Sequence, residues 1–98
     1  MDTQKLIYFI AAVKHLNFTK AANECHIAQT AMSRYISSLE RELGFQLFYR
    51  DNRNVSLTAA GESFYQEAVL LTEGLERAAA QARLIANGYE GVLSLIHI

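Results

Sequence analysis

The sequence contains no proline, one cysteine and five glycines among its 98 residues. With so few helix-breaking residues, a chain rich in alanine and leucine favours helices over a sheet-rich fold. The 51% apolar content is enough for the packed core of one small domain. The lone Cys25 cannot form an internal disulfide, which fits a reducing cytoplasm. No apolar run is long enough to span a bilayer and no basic leader precedes one, so we expect neither membrane insertion nor secretion.

The formal net charge of −1 conceals an asymmetry along the chain. Residues 1–57 carry seven Lys and Arg against five Asp and Glu, a balance of +2. Residues 58–98 carry two against five, a balance of −3. A basic head joined to an acidic tail is compatible with DNA contact through the head alone.

Apolar residues at helical spacing predict a first helix over residues 3–16, with Asp2 or Thr3 as its N-cap. Thr19 is then expected to cap a short second helix over residues 20–25. Two alanines inside this second helix are small enough for close contact with a neighbouring helix. The sequence therefore predicts two consecutive helices that pack together.

A third helix is predicted over residues 29–43, because its apolar side chains recur at steps of four, three and four. These core positions are Met32, Ile36, Leu39 and Leu43. Gly44 follows where a left-handed residue that ends the helix is expected. A different face of the helix is polar and consists of Gln29, Thr30, Ser33, Arg34, Ser37 and Arg41.

Two short β-prone runs, residues 47–50 and 55–57, flank a polar turn and predict a β-hairpin. A lone hairpin is marginal in water, so this one is expected to lean on the helices. The aromatic residues Phe18, Tyr35 and Phe48 are predicted to belong to the shared core.

Thr58 is expected to cap a long helix that continues to about Asn87 and stops at Gly88. Eight apolar positions of this helix keep a heptad rhythm, which indicates a narrow seam between paired helices. They are Phe64, Ala68, Leu71, Leu75, Ala78, Ala82, Ile85 and Tyr89. A helix this long cannot bury its whole seam against so small a head, so it is predicted to need a partner.

This order of elements is that of a winged helix-turn-helix protein, in which the hairpin is the wing. A resemblance to LysR-type transcription regulators lies in residues 18–50, which read FTKAANECHIAQTAMSRYISSLERELGFQLFYR. The family signature combines an F-T-x-A-A opening, a Q-x-A-[LM]-S-R centre, an L-E-x-x-L-G close and an L-F-x-R entry to the wing. Residues 57–62, LTAAGE, are similar to the start of the family's linker helix. The similarity covers nearly the whole chain, and the combined motif is highly specific.

The resemblance implies a mainly α fold: a winged helix-turn-helix of three helices and a two-stranded β-hairpin, followed by a long dimerisation helix. It divides the chain into a DNA-binding domain over residues 1–57, a linker helix over 58–88 and the start of a truncated effector-binding domain over 89–98. Family members are bacterial dimers or tetramers that sense a small-molecule effector through that C-terminal domain. We therefore expect a cytoplasmic regulator that binds a pseudo-palindromic promoter site as a homodimer, without a cofactor.

Residues at the start of the third helix are predicted to meet base edges in the major groove. Gln29 can pair with adenine, and Thr30 can place its methyl group against that of thymine. Ser33 can reach a base or a phosphate, and Arg34 can grip guanine through two hydrogen bonds. The rest of the predicted DNA-binding set, mainly for backbone contacts, consists of Thr19, Lys20, Ser37 and Ser38.

Two arginines flank the turn of the wing. The resemblance implies that Arg53, at the tip, lies in or near the minor groove, where narrow A·T stretches attract arginine. Arg50 is a candidate for DNA contact as well. Its alternative is an ion pair with an acidic neighbour such as Asp51.

Two positions depart from the family pattern at the start of the third helix. Ala28 stands where the family has Ser or Thr, which removes a natural N-cap. Thr30 stands where the family has Pro, which removes a residue pre-set for the first helical turn. Either change can fray or shift the start of the helix.

Other classes of function find less support in the residues. Cys25 beside His26 suggests a metal or nucleophilic pair, but no second Cys/His cluster completes a ligand set, so no metal site is expected. No paired carboxylates, glycine-rich phosphate loop or catalytic triad indicates an enzyme. The alternative from another class is a helical interaction module, in which the long helix binds another protein and Ser33 and Arg34 lie on a solvated face.

Overall fold

The computed structural model describes residues 1–51 and 54–88. Its elements, in chain order, are helix α1 over Thr3–His15, helix α2 over Phe18–Glu24, helix α3 over Gln29–Leu43, strand β1 over Phe48–Arg50, strand β2 over Val55–Leu57 and helix α4 over Ala59–Ala86. The predicted mainly helical class and the order of its elements are confirmed. Residues 52 and 53 in the turn of the wing, and the predicted start of an effector-binding domain at 89–98, lie outside the described residues.

Helix α1 begins at the predicted cap. The Asp2 carboxylate accepts a hydrogen bond of 2.9 Å from the backbone N–H of Lys5, which satisfies one of the unpaired donors at a helix start. The helix ends at His15, because Leu16 adopts the left-handed conformation with φ 48°. Such a φ is uncommon for a residue other than glycine, and it turns the chain into α2.

The prediction for the start of α2 was wrong by two residues. Asn17, not Thr19, is the N-cap, and its side chain accepts a hydrogen bond of 2.9 Å from the backbone N–H of Lys20. Both residue types are good N-caps, and the earlier start places Phe18 in the first turn, where its ring is buried. Thr19 is consequently left exposed on the surface.

Helix α3 has the predicted bounds. Met32, Ile36 and Leu39 are fully buried, as the apolar stripe predicted. Ala28 occupies the N-cap without a side-chain hydrogen bond, yet the helix still begins at Gln29. Gly44 ends it with φ 85°, a conformation that glycine adopts without steric penalty.

The core is centred on Phe9 of α1. Its fully buried ring lies 5.7 Å from the ring of Phe48 in β1 and 5.4 Å from that of Phe64 in α4. Aromatic pairs at such distances contribute roughly 0.5–1.5 kcal/mol beyond the area that they bury. One side chain therefore joins the first helix, the wing and the long helix, and the hairpin leans on the helices as predicted.

The wing is a two-stranded antiparallel sheet in which Phe48 faces Leu57 and Arg50 faces Val55. Its turn is closed by two hydrogen bonds between Asp51 and Asn54: the Asp51 N–H donates to the Asn54 carbonyl at 3.0 Å. The Asn54 N–H donates to the Asp51 carboxylate at 2.6 Å.

Helix α4 is joined to the entry of the wing through Thr58. The backbone N–H of Thr58 donates to the Leu47 carbonyl at 2.9 Å. Its hydroxyl donates to the Gln46 carbonyl at 2.7 Å and accepts a hydrogen bond from the Gly61 N–H at 2.8 Å. Gly61 lies so close to this segment that a Cβ atom on it would be 2.2 Å from the Leu47 carbonyl oxygen. The start of α4 is therefore held against the first strand.

At two positions of the predicted seam the side chain contacts the chain's own core. Ala68 is 1% exposed in the single chain, so a second chain cannot cover it further. Phe64 is half-buried and packs on Phe9. The positions from Leu71 onward are different: Leu71 and Leu75 are 66% and 56% exposed.

The remaining described seam positions, Ala78, Ala82 and Ile85, are exposed as well. The uncovered part of the seam therefore begins at Leu71, above the head. Among the described residues, none of the helices combines the length and apolar character needed to cross a membrane.

Gly61→Ala should destabilise the protein, whereas Gly74→Ala in the same helix should not. The new Cβ at position 61 collides with a backbone oxygen, so α4 must move, at about 1–3 kcal/mol. At position 74 the nearest atom is the mobile end of Arg77 at 3.7 Å, and alanine should stabilise the helix by about 0.5–1 kcal/mol. Chemical unfolding of both variants at one protein concentration checks this. Equal effects would show that the junction is looser than described.

Candidate nucleic-acid interface

The polar residues of α3 point away from the core. At about 100° per residue, Thr30, Arg34, Ser37 and Arg41 fall on the side of the helix opposite Met32, Ile36 and Leu39. We call these four residues the outer face of α3. Thr30, Arg34 and Arg41 are exposed and Ser37 is half-buried. The structure thus leaves this face open to an external partner.

A concave surface lies between α3 and the wing, and we call it the wing groove. Its lining residues are Leu16, Asn17, Phe18, Thr19, Gln29, Ser33, Arg50, Asp51, Asn54 and Val55. Four predicted site residues, Thr19, Gln29, Ser33 and Arg50, are brought together here from three elements of the fold. Asn17 and Asn54 were not predicted, although polar residues at a cap and a turn are common at the rim of such surfaces.

A second concave surface includes most of the outer face, and we call it the flank groove. It is lined by Lys5, Ala31, Ser33, Arg34, Tyr35, Ser37, Ser38 and Arg41. Ser33 lines both grooves, so α3 forms a ridge between them. Tyr35 was predicted for the core, but it is 38% exposed, and its ring contacts that of Tyr8 in a tilted arrangement, with 4.8 Å between the centroids.

The Glu40 carboxylate connects α3 to the wing. It accepts hydrogen bonds from the backbone N–H groups of Leu47 and Phe48, at 2.7 and 3.2 Å, and from the Arg50 guanidinium at 2.8 Å. The Arg50 guanidinium also lies 5.2 Å from the centre of the Phe18 ring, a favourable cation–π arrangement. Arg50 thus forms the ion pair that was its alternative, with Glu40 as the carboxylate. Glu40 was not predicted, although it stands in the L-E-x-x-L-G motif.

Ser38 is engaged by the chain itself. The Lys5 ammonium donates to its hydroxyl at 2.9 Å and also to the Glu42 carboxylate. The amino terminus lies 2.7 Å from the same carboxylate. The hydrogen bonds that Glu42 accepts from Lys5, above all, and from the amino terminus lower its pKa to about 2. Glu42 is therefore ionised and neutralised by its cationic partners near neutral pH.

The basic residues of the head divide into two groups. Lys5, Lys14 and Arg50 each form an ion pair, with Glu42, Glu24 and Glu40 respectively. Across residues 1–51 and 54–88, no ion pair involves Lys20, Arg34 or Arg41. These three cations remain available to an external anion. Arg53, the predicted minor-groove residue, lies outside the described residues.

Cys25 and His26 follow one another at the end of α2. Within the part of the chain that the structure describes, no group of three or more His, Cys, Asp or Glu could hold a metal ion. Burial, and to a smaller degree Glu24, raises the pKa of the Cys25 thiol, which leaves it less reactive as a nucleophile. The hydrogen bond that Lys14 donates to Glu24 at 3.1 Å, and after it the His15 ring 3.4 Å from the same carboxylate, lower the pKa of Glu24. These contacts tie α1 to α2.

Three packed helices, a hairpin on their edge and an exposed outer face of the third helix together define a winged helix-turn-helix domain. Residues 3–62 match the sequence profile of the family described as bacterial regulatory helix-turn-helix proteins, lysR family. The chain belongs to the LysR family.

Curated relatives are bacterial transcription regulators. The chain is 45% identical over 87 residues to the Hca operon transcriptional activator HcaR of Escherichia coli K12. The matched stretch covers 89% of this chain and 29% of that protein. It is 41% identical over 95 residues to the HTH-type transcriptional regulator BudR of Klebsiella aerogenes, covering 97% of this chain and 66% of that one. The chain thus spans less than two thirds of the length of either relative.

Solved structures agree with the fold. A complex of the BenM DNA-binding domain with benA site 1 DNA is similar with a TM-score of 0.85 and 42% sequence identity. The similarity covers 90% of this chain and 99% of that domain.

Glu40→Ala should lower the free energy of unfolding by on the order of 2 kcal/mol, because two backbone N–H groups at the entry of the wing lose their acceptor. Glu40→Gln should have a smaller effect, since both N–H groups donate to the same carboxylate oxygen, which an amide oxygen can replace. The control is Glu67→Ala, which removes an exposed carboxylate from α4. Urea unfolding of the three variants gives the order. An equal loss in Glu40→Ala and Glu67→Ala would contradict the role of Glu40.

Proposed function

We propose that this chain is the DNA-binding part of a transcription regulator that binds a pseudo-palindromic promoter site as a homodimer. In this complex α3 lies in the major groove and the wing lies at the minor groove. The observation that carries the proposal is the outer face of α3, which is polar, exposed and supplied with unpaired arginines. The similar BenM domain, bound to benA site 1 DNA, supports the same use of this fold.

The start of α3 is proposed to read bases. Gln29 and Thr30 are exposed in its first turn, where helix-turn-helix proteins contact base edges. Arg34 follows one turn later without a carboxylate partner among the described residues, so its guanidinium is free to grip guanine through two hydrogen bonds. Ser33 lies between the two grooves and reaches a base or a phosphate.

Phosphate contacts are proposed on both sides of the reading residues. Thr19 and Lys20 are exposed at the start of α2, beside the wing groove, and would orient the protein without reading sequence. Ser37 and Ser38 line the flank groove. Ser38 would act there together with the Lys5 ammonium that is already bonded to it.

The wing arginines are proposed to have different roles. Arg50 is held by Glu40 and stacked on Phe18, so we assign it mainly to positioning the wing. Arg53 remains our candidate for the minor groove, on the strength of its place in the turn and the preference of narrow minor grooves for arginine.

Residues 58–88 are proposed to act as the linker and dimerisation helix. The exposed apolar positions Leu71, Leu75 and Ile85 lie at heptad spacing, and the small Ala78 and Ala82 between them permit close approach of a second helix. Residues 1–57 would then form the DNA-binding domain, and a small-molecule effector would act through a separate domain that begins near residue 89. The length of the HcaR relative is consistent with such a domain.

The proposed activity is binding and not catalysis. The relative HcaR is a transcriptional activator and the relative BudR is a transcriptional regulator. The grooves contain serines and arginines without a paired general acid and base. A bacterial regulator of this kind works where the chromosome is, so we place it in the cytoplasm.

Arg34→Ala should weaken binding to a selected site by about 1–3 kcal/mol and relax the preference at one base pair. The site is first obtained by selecting bound duplexes from a random pool, which also reports half-site spacing. Arg77→Ala is the matched control, because it removes the same charge from an exposed position of α4. Gel shifts with the selected site and a one-base variant compare the proteins. Unchanged affinity and preference in Arg34→Ala would refute the assignment.

Leu75→Asp should convert dimers to monomers, because pairing of α4 would bury an unpaired carboxylate. Ala80→Asp is the control, since it places the same charge on α4 outside the heptad seam. Light scattering measures the mass of each variant. A dimer that persists in Leu75→Asp would show that α4 pairs through another face.

A further inference from the structure

We infer that Arg41 binds a phosphate of the DNA backbone and so extends the DNA-contacting surface to the last turn of α3. This inference rests on the proposed function and adds a residue to it. Position 41 is one of the variable positions of the L-E-x-x-L-G motif, so the motif itself assigns it no role. Its place on the helix, together with the absence of an ion pair at Arg41 among the described residues, points to DNA.

Arg41 lies on the same face of α3 as Arg34. It follows Arg34 by seven residues, which is nearly two helical turns and about 10 Å along the axis. The two side chains therefore project within about 20° of each other from the outer face. Both line the flank groove, with the hydroxyl groups of Ser37 and Ser38 between them. This row of donors matches a nucleic-acid backbone better than it matches a single small anion.

The charges around Arg41 leave its guanidinium free. The residues three and four positions away, Ser37, Ser38, Gly44 and Phe45, are all uncharged, so no carboxylate is available on its own helix face. The described ion pairs of the chain do not include it. The carboxylate next to the groove, Glu42, is already neutralised by Lys5 and the amino terminus.

A phosphate is a better partner for this residue than a base. In helix-turn-helix proteins the bases are met by the first residues of the recognition helix, and Arg41 is the thirteenth residue of α3. In homeodomains the C-terminal end of the recognition helix contacts the DNA backbone, and the last turn of α3 would do the same. Guanidinium groups bind phosphate oxygens there without reading sequence.

Another role for a cation in the last turn of a helix is to interact with the carbonyl end of the helix dipole. That role acts on stability. Phosphate contact instead changes the salt dependence of DNA binding, because each neutralised phosphate releases counterions. The two roles therefore give different readouts in the same variant.

The test measures binding to a random-sequence 30-base-pair duplex, labelled for fluorescence anisotropy, between 50 and 200 mM salt. Arg41→Gln should make the fall of log affinity with log salt less steep, by about 0.9 in slope per bound chain. Across that range the wild type should then lose about threefold more affinity per chain than the variant. Arg41→Lys should retain the slope, since an ammonium also binds phosphate as a point charge.

The control is Lys14→Gln, which removes one positive charge from the head at a residue paired with Glu24 and distant in the chain from α3. Its slope should equal that of the wild type. An unchanged slope in Arg41→Gln, with or without a lower melting temperature, would overturn the inference. An equal fall in both variants would also overturn it, because net charge would then explain the effect. If the wild type bound no DNA at all, the proposed function itself would fail.

Discussion

The carboxylate of Glu40 is the interaction on which the geometry of the domain depends. It fixes the backbone of Leu47 and Phe48 against α3 and holds Arg50 at the other end of the strand. The Leu47 carbonyl in turn accepts the hydrogen bond from Thr58 that begins α4. One short segment thus sets the positions of the wing and the long helix relative to α3. Because this carboxylate is only 11% exposed, solvent screens the contacts weakly.

The same pairing pattern explains how a chain with a net charge of −1 can present a basic surface. Most carboxylates of the head form ion pairs with cations that have structural roles. Among the described basic residues of the head, those outside any ion pair are Lys20, Arg34 and Arg41, and they all lie on α2 or α3. Local pairing therefore decides the sign of the surface potential near α3, and the net charge of the whole chain says little about it.

The sequence was most informative where all local features of a segment predicted the same element. For α3, the apolar stripe predicted a helix over residues 29–43 and Gly44 predicted its end, and both ends were predicted correctly. For α2, Asn17 and Thr19 are both good N-caps, with asparagine somewhat preferred, and the burial of Phe18 agrees with the earlier start. Periodicity likewise predicted that Phe64 and Ala68 face an apolar surface, but it cannot tell the chain's own core from a second chain. For Arg50, composition showed nearby carboxylates but not which of them the wing would meet.

Helix α4 has a first part that packs in the core of the head and a later part with exposed apolar residues, and this division constrains the proposed dimer. Its first turns belong to the core of the head through Phe64 and Ala68, and the helix continues without a break to the exposed Leu71 and Leu75. A continuous helix anchored in this way transmits orientation, because no loop lies between the head and the paired region. The angle between two heads on DNA would then be set by how the α4 helices pair beyond Leu71. The spacing of half-sites follows from that pairing, whereas the reading of each half-site follows from α3.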